Sequence, residues 1–282
     1  MNGPAPAGGK SLGPWRIRSY ARLASTSDLC LQLAASGEPD GLAVLAAEQT
    51  AGRGRSGRAW HSAPGNLFLS VLLRPAGETA RAGPYALLAG VAVWEALASF
   101  LREPAALSLK WPNDLLLAGR KLAGILLESA TGADGAPAWL VIGIGANLAS
   151  APAIAPPSIA PPSIAPPSIA PPSTASSATA SLADAGIAPP SPEAAAHAVL
   201  ARLSHWRTIL DSEGFPPIRA AWLAHAHPPG APLAFHAAGR ARSGRFAGLT
   251  ETGALKLATE AGIETFASGE VLQDLADLPC SS

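Results

Sequence analysis

Arginines and glycines alternate in the stretch from Glu48 to Trp60, EQTAGRGRSGRAW. Arg53, Arg55 and Arg58 lie within six positions, and no acidic residue follows Glu48 in this stretch. Glycine lets the backbone approach a ligand closely, and a guanidinium offers planar donors that suit a carboxylate or a phosphate. We therefore predict an anion-binding loop, although a solvated basic turn or a nucleic-acid-binding tail would share this composition.

A second polar cluster is expected within the stretch Leu107 to Glu128, in which apolar runs alternate with short polar turns. Pro112 ends the first run because proline lacks the backbone donor that a central strand needs. A later Ala-Gly pair suits a hairpin turn. Three strands joined in this way can project Lys110, Asp114 and Lys121 into one region. Isolated lysines are usually solvated, so none of the three identifies a site by itself.

Composition limits the class of protein. The 282 residues include 20 basic and 20 acidic side chains, and 48% are hydrophobic. A neutral chain does not present an extended polyanion-binding surface, so any anion site is local. The histidines lack metal-ligand spacing, and we predict no metal-binding side chains. No signal peptide or membrane-length apolar run is present, and two thiols, Cys30 and Cys280, fit a reducing compartment. We expect a cytoplasmic protein with no membrane partner.

Local patterns predict the elements that position these residues. Apolar runs favour strands over 15–20, 42–47, 66–73 and 139–144, besides the three within 107–128. Helical spacing favours helices over 28–36, 84–103, 193–213 and 218–226. Ser25 or Ser27 can cap the first helix and Gly37 can end it. Trp94, in the second helix, is expected in the core.

The chain divides by composition into segments of different kinds. Residues 1–14 are rich in Gly, Pro and Ala and are expected to be disordered. Within 151–180, the pentapeptide IAPPS occurs four times in tandem over 154–173. Double prolines favour polyproline II and cannot pack a core, so we predict a disordered surface insertion. Short strands and Gly turns predict a small β domain over 229–282, which leaves 15–228 as the larger domain.

Three motifs occur in order: QTAGRGRSGRAW, then KWPND followed by GRKLAGILLE, then VIGIGANL. Together with Ser25-Thr26 upstream and the small C-terminal β module, they resemble the biotin–protein ligases. The resemblance implies an α+β fold in which a central mixed β-sheet with flanking helices, as in class II synthetases, precedes a small SH3-like β-barrel. It also implies an ATP-dependent enzyme that activates biotin as biotinyl-5′-adenylate and transfers it to one lysine of the biotin carboxyl carrier protein of a carboxylase.

The resemblance also implies roles for individual residues. The positions expected to bind biotin are Ser25, Thr26, Gln49, Gly52, Arg53, Lys121 and Gly124, with Ile125 beside the last. The positions expected to bind the nucleotide are Arg55, Trp60, Asn113 and Asn147. Attack of a carboxylate on a phosphate needs fixed positive charge at the developing oxyanions. Arg53, Arg55 and Lys121 would supply it, with Mg²⁺ on the polyphosphate, and Asp114 would act as a base or an orienting group.

Some features depart from the family pattern. Ser27 stands where many relatives carry Asn, and IAPPS begins where relatives have a loop that closes on the nucleotide. The repressor members have an N-terminal helix-turn-helix, for which there is no room before Trp15, so we expect no specific DNA binding. Relatives often pair through a sheet edge, which makes a homodimer an option. A lipoate or octanoate ligase of the same architecture is the main alternative, whereas neutrality and few aromatics disfavour a nucleic-acid-binding protein.

Overall fold

The structure is a computed structural model that describes residues 6, 8–75, 82–132, 137–152, 178–237, 240–267 and 270–272. The predictions for the IAPPS repeats and for Cys280 lie outside the described residues. Within the described part of the chain, no helix is both long and apolar enough to cross a membrane.

An eight-stranded mixed sheet forms the centre of the larger part of the chain. Its strands are β1 Gly8–Leu12, β2 Trp15–Leu23, β3 Leu42–Gln49, β4 Leu67–Leu73, β5 Leu107–Lys110, β6 Asp114–Leu117, β7 Arg120–Thr131 and β8 Pro137–Ala146. They lie in the order β1-β2-β3-β4-β8-β7-β6-β5. Only β2 and β3 run parallel; the other neighbours are antiparallel. All seven residues of β4 are buried, as its continuous apolar sequence predicts for a strand covered on both faces.

Helices cover both faces of this sheet. They are α1 Thr26–Ala35, α2 Ala82–Ala98, α3 Pro192–Glu213 and α4 Pro216–Ala224. Successive side chains of a strand point to opposite faces. Accordingly, Leu42 and Val44 of β3 join the core cluster under α1, while Ala43 and Leu45 join the larger cluster that includes α2, α3 and α4. The sheet is therefore fixed from both sides, and its polar loops emerge from a rigid support.

A second, five-stranded antiparallel sheet follows the last helix. Its strands are β9 Pro232–Ala237, β10 Arg240–Leu249, β11 Leu255–Thr259, β12 Gly262–Phe266 and β13 Glu270–Leu272, in the order β12-β11-β10-β9-β13. The predicted fold class is confirmed: a central mixed sheet with flanking helices and a small C-terminal β structure.

The prediction of disorder over residues 1–14 is wrong for Gly8–Leu12, which pair with β2 in an antiparallel ladder. Backbone hydrogen bonds hold this strand, and they do not depend on an apolar side-chain pattern. Gly13 adopts φ 54° in the turn that joins the two strands. The strand was therefore not predictable from a composition rich in glycine and proline, because pairing with β2 stabilises it.

Two predicted helices differ at their ends. The helix expected over 84–103 ends at Ala98, because the amides of Phe100 and Leu101 bond three residues back and tighten the last turn. The helix expected over 218–226 spans 216–224, and its two prolines lie in the first turn where no donor is needed. Trp94 is only half-buried and stacks on His225, with ring centroids 3.5 Å apart.

The range predicted for the disordered insertion, 151–180, extends too far, because Ala178 to Ala180 are ordered and run beside β7. The Lys121 amide donates to Ala178 O at 2.8 Å, and the Ala180 amide donates to Lys121 O at 2.9 Å. Ala180 is fully buried. Thr179 Oγ1 also donates to Pro152 O at 2.7 Å, so the chain on either side of residues 153–177 meets at this point.

Candidate active site

A cavity of about 400 Å³ opens beside the first turn of α1 and the ends of β3, β5 and β8. Eleven of the twelve predicted site residues line it: Ser25, Thr26, Gln49, Arg53, Arg55, Trp60, Asn113, Asp114, Lys121, Gly124 and Asn147. Gly52 lies behind the wall instead. A side chain there would press on Ser62 Oγ and Gln49 Nε2, at 2.8 and 2.9 Å from a Cβ, so this glycine allows close packing beneath the loop.

One end of the cavity is built from neutral polar groups. The Thr26 amide and hydroxyl both donate to Gln49 Oε1, at 2.8 and 3.1 Å. Ser70 Oγ donates to Thr26 Oγ1 at 2.8 Å and lies 3.0 Å from Ser27 Oγ. Ser25 caps α1 by accepting from the Asp28 amide, as predicted. These buried, mutually bonded groups are fixed in place, which suits recognition of a neutral polar ligand.

The other end is charged. Lys121 Nζ lies 2.6 Å from Asp114 Oδ1, and Lys110 Nζ lies 3.8 Å from Asp114 Oδ2. The predicted convergence of these three side chains is confirmed. Lys110 is almost completely buried, with 6% of its side chain exposed. Burial lowers the pKa of His227, and the Lys110 ammonium lowers it further. Two lysines around one carboxylate leave net positive charge where screening by water is reduced.

The Gly/Arg stretch forms a short hairpin over residues 52–60 at the wall of the cavity. The Trp60 amide donates to Gly52 O at 2.8 Å, and the Gly54 amide donates to Arg58 O at 2.7 Å. Arg55 Nη1 donates to Asn113 Oδ1 at 3.3 Å, in the turn between β5 and β6. The hairpin therefore reaches the charged end of the cavity through the side chain of Arg55.

Trp60 lies inside the cavity against two strands that carry glycine where it approaches. A Cβ at Gly145 would overlap the indole, and one at Gly124 would lie 3.0 Å from it. Lys121 Nζ is 5.7 Å from the centre of the ring, within range of a cation–π contact. The glycines of the two strand motifs thus make room for the tryptophan of the hairpin.

Asn147 lines the cavity with only 2% of its surface exposed. Its Nδ2 donates to Ala180 O at 3.1 Å. The same side chain therefore holds the segment that returns to β7 after residue 177.

Several lining or supporting side chains were not among the predicted site residues: Ser27, Arg58, His61, Ser70 and Lys110. Ser70 had a signal in the sequence, since it is the only hydroxyl in the apolar run of β4 and is fully buried. A buried hydroxyl requires a partner, and here the partners are Thr26 and Ser27. In the part of the chain that the structure describes, no group of three or more His, Cys, Asp or Glu could hold a metal ion.

Comparison with known proteins identifies two family regions. Residues 19–147 match the Biotin/lipoate A/B protein ligase family, and residues 238–272 match the Biotin protein ligase C terminal domain. The chain is 37% identical over 254 residues to the biotin--[acetyl-CoA-carboxylase] ligase of Paracoccus denitrificans, covering 89% of this chain and 98% of that protein.

Two further relatives extend the comparison. The bifunctional ligase/repressor BirA of Bacillus subtilis is 31% identical over 88% of this chain and 71% of its own length. The biotin protein ligase of Aquifex aeolicus in complex with biotin and ATP superimposes with a TM-score of 0.71 at 26% identity, over 90% of this chain and 97% of that one. Because the likeness extends over nearly the whole of a 37% identical relative and both family regions occur in order, the chain belongs to the biotin–protein ligase family.

Proposed function

We propose that this cavity binds biotin and ATP, forms biotinyl-5′-adenylate and pyrophosphate, and then passes biotin to a lysine of a biotin carboxyl carrier protein. The observation that carries the proposal is the composition of the cavity. A neutral hydrogen-bonded end adjoins an end where Lys110, Asp114 and Lys121 converge, and an arginine hairpin forms the wall beside both. The relatives named as biotin ligases support biotin rather than lipoate or octanoate as the acid.

In the first step, a biotin carboxylate oxygen attacks the α-phosphorus of ATP, and the bond to the bridging oxygen of pyrophosphate breaks. Both reactants are anions, so fixed cations must offset the charge that develops on the phosphoryl oxygens. Lys121 is placed for this role, because Asp114 holds its ammonium and the Trp60 ring lies beside it. Arg55 approaches the same region through Asn113. ATP is expected as its magnesium complex, since Mg²⁺ is usually held by substrate phosphates and water.

In the second step, a lysine amine of the acceptor attacks the acyl carbon of the mixed anhydride, a C–N bond forms, and AMP leaves. The attacking ammonium must first lose a proton. Asp114 lies at the charged end of the cavity, where its carboxylate can accept a hydrogen bond from the incoming amine. The ureido ring of biotin would occupy the neutral end, where Ser25, Thr26 and Gln49 offer a fixed set of donors and acceptors.

The test is exchange of labelled pyrophosphate into ATP by the purified chain with biotin, lipoate, octanoate or no acid. We expect exchange with biotin alone, followed by biotin incorporation into an added carrier domain and not into its Lys→Arg variant. Exchange with lipoate or octanoate in place of biotin would change the assigned acid. Absence of exchange with every acid would overturn the proposal.

A further inference from the structure

Arg53 differs from the other arginines of the hairpin because two carboxylates hold its guanidinium. Its Nη2 lies 2.6 Å from Asp28 Oδ1 and 3.2 Å from Glu128 Oε2, and both terminal nitrogens donate to Glu128 Oε1 at 3.2 Å. Partial burial would lower the pKa of Arg53, but Glu128 and Asp28 outweigh this effect and the pKa is raised. The guanidinium therefore stays charged while its charge is offset by two neighbours.

The three members of this cluster come from three elements around the cavity, and Arg53 is the member that lines it. Asp28 lies in the first turn of α1, beside the neutral end formed by Ser25 and Thr26. Glu128 lies on β7, the strand that carries Lys121. Arg53 lies near the base of the hairpin, where its backbone bridges Ala59. One guanidinium thus joins the hairpin to both supports of the site.

A cation already paired with two carboxylates adds little positive field at a developing oxyanion, since the cluster as a whole carries a net negative charge. It can, however, resist separation of the hairpin from α1 and β7. The side chains of Arg53, Asp28 and Glu128 are 37%, 39% and 26% exposed, so each ion pair is partly screened. Such a bridge is strong enough to bias opening and weak enough to let ligands enter.

We propose that Arg53 is a positioning residue: by bridging Asp28 and Glu128 it keeps the hairpin closed and thereby sets how long the reactive acyl-adenylate remains in the site. The retention part of this proposal rests on the proposed function, while the effect on hairpin opening does not. The bridge contributes to catalysis through the hairpin it holds.

The first measurement is hydrogen exchange of the hairpin amides in the full-length, ligand-free chain. Glu128→Gln keeps the size of the side chain but removes its charge. The reporter is the Ala51 amide at the base of the hairpin, which donates to Ala24 O just before α1. We expect it to exchange about fivefold faster, the change that loss of one partly exposed ion pair produces. The matched control is Glu95→Gln, which breaks an ion pair to Arg202 at a glutamate that is also 26% exposed, and it should leave hairpin exchange unchanged.

The second measurement is release of labelled adenylate after a chase with unlabelled biotin. Glu128→Gln and Asp28→Asn should each release it faster, with melting temperatures near that of the wild type. Exchanging the partners, Arg53→Glu with Glu128→Arg, should restore slow hairpin exchange and slow release, because an ion pair again joins the hairpin to β7.

If Arg53 instead acted directly as a catalytic cation, the opposite result is expected. The variant with the exchanged pair would then be as defective as Arg53→Ala. Failure of rescue, or unchanged hairpin exchange in both single variants, would overturn the inference. If the carboxylates only occupy the place of a substrate anion, their neutral variants would bind substrate more tightly without faster hairpin exchange, which also overturns it. If the wild type forms no adenylate, the proposed function fails, while hydrogen exchange still decides whether the bridge closes the hairpin.

Discussion

The two ends of the cavity use different physics. The neutral end consists of uncharged polar side chains on α1, β3 and β4 that are bonded to one another, as in the contacts of buried Thr26 and Ser70 with the half-buried Gln49. The charged end consists of long side chains on a hairpin and on β5 to β7, joined by ion pairs such as that of Lys121 with Asp114. A neutral ring is recognised by dipoles that are already fixed, whereas a reaction between two anions needs concentrated positive charge.

The comparison also separates binding from chemistry. Groups that contact a ligand equally in the ground state and the transition state alter affinity, whereas groups that meet only the developing charge alter rate. Changes at the neutral end should therefore act mainly on biotin affinity. Changes at the charged end should act mainly on turnover and on retention of the intermediate.

Removing the charge at the reaction centre should have the largest effect. For Lys121→Ala we expect the loss of about 3 kcal/mol of transition-state stabilisation, which would lower the rate of adenylation roughly 100-fold. Both properties are measured on the same preparation. The rate of pyrophosphate exchange should fall, whereas the affinity for biotin should change little. Lys256→Ala, on the C-terminal sheet, serves as the control. Exchange at the wild-type rate in Lys121→Ala would remove the assigned role.

Thr26→Val tests the neutral end with nearly the same side-chain volume. It removes the hydroxyl between Gln49 and Ser70, which keep the Thr26 amide and Ser27 as their other partners. A polar ligand group that loses this partner in the cavity is destabilised by about 1–3 kcal/mol. We expect biotin to bind at least tenfold more weakly by calorimetry, while the adenylation rate at saturating biotin stays near that of the wild type. Ser36→Ala, which removes an exposed hydroxyl just beyond the same helix, should change neither value. A rate defect at saturating biotin would abolish the distinction between the two ends.

Arg55→Gly should have a smaller effect, on retention. The substitution removes the contact with Asn113, so the hairpin should still permit adenylation but should release the adenylate about fivefold faster. This factor corresponds to about 1 kcal/mol, the typical net contribution of one hydrogen bond. Free anhydride would acylate lysines of bystander albumin, detectable with streptavidin. Albumin labelling equal to that by the wild type, with adenylation intact, would count against this role.

Deletion of residues 154–173 should have the smallest effect. Thr179 and Pro152 already meet through a hydrogen bond, so six residues would remain to connect these two adjacent points. The entropy of loop closure changes only logarithmically with length, and we expect stability to change by less than about 1 kcal/mol. Thermal melting and the Michaelis constant for ATP test this. A higher constant with an unchanged melting temperature would indicate instead that this segment closes on the nucleotide, and a large fall in melting temperature would contradict both interpretations.

Most of the elements could be predicted because their signals are local. The apolar run of β4, the cap at Ser25 and the Ser-Pro start of α3 each depend on a few neighbouring residues. The errors occurred where a distant partner decided the outcome. Gly8–Leu12 is a strand because β2 lies beside it, and Ala178–Ala180 is ordered because β7 lies beside it.

The sequence by itself determined the main chemical groups of the site. The residue types and spacing of the Gly/Arg stretch, of KWPND and of Lys121 can be read directly from the chain. Tertiary structure decided which groups meet. Arg53 finds Glu128 at a distance of 75 positions, and Trp60 fits against Gly145 of another strand. Pairings of this kind depend on the order of strands in the sheet and on which face each side chain takes, and neither follows from the local pattern of the chain.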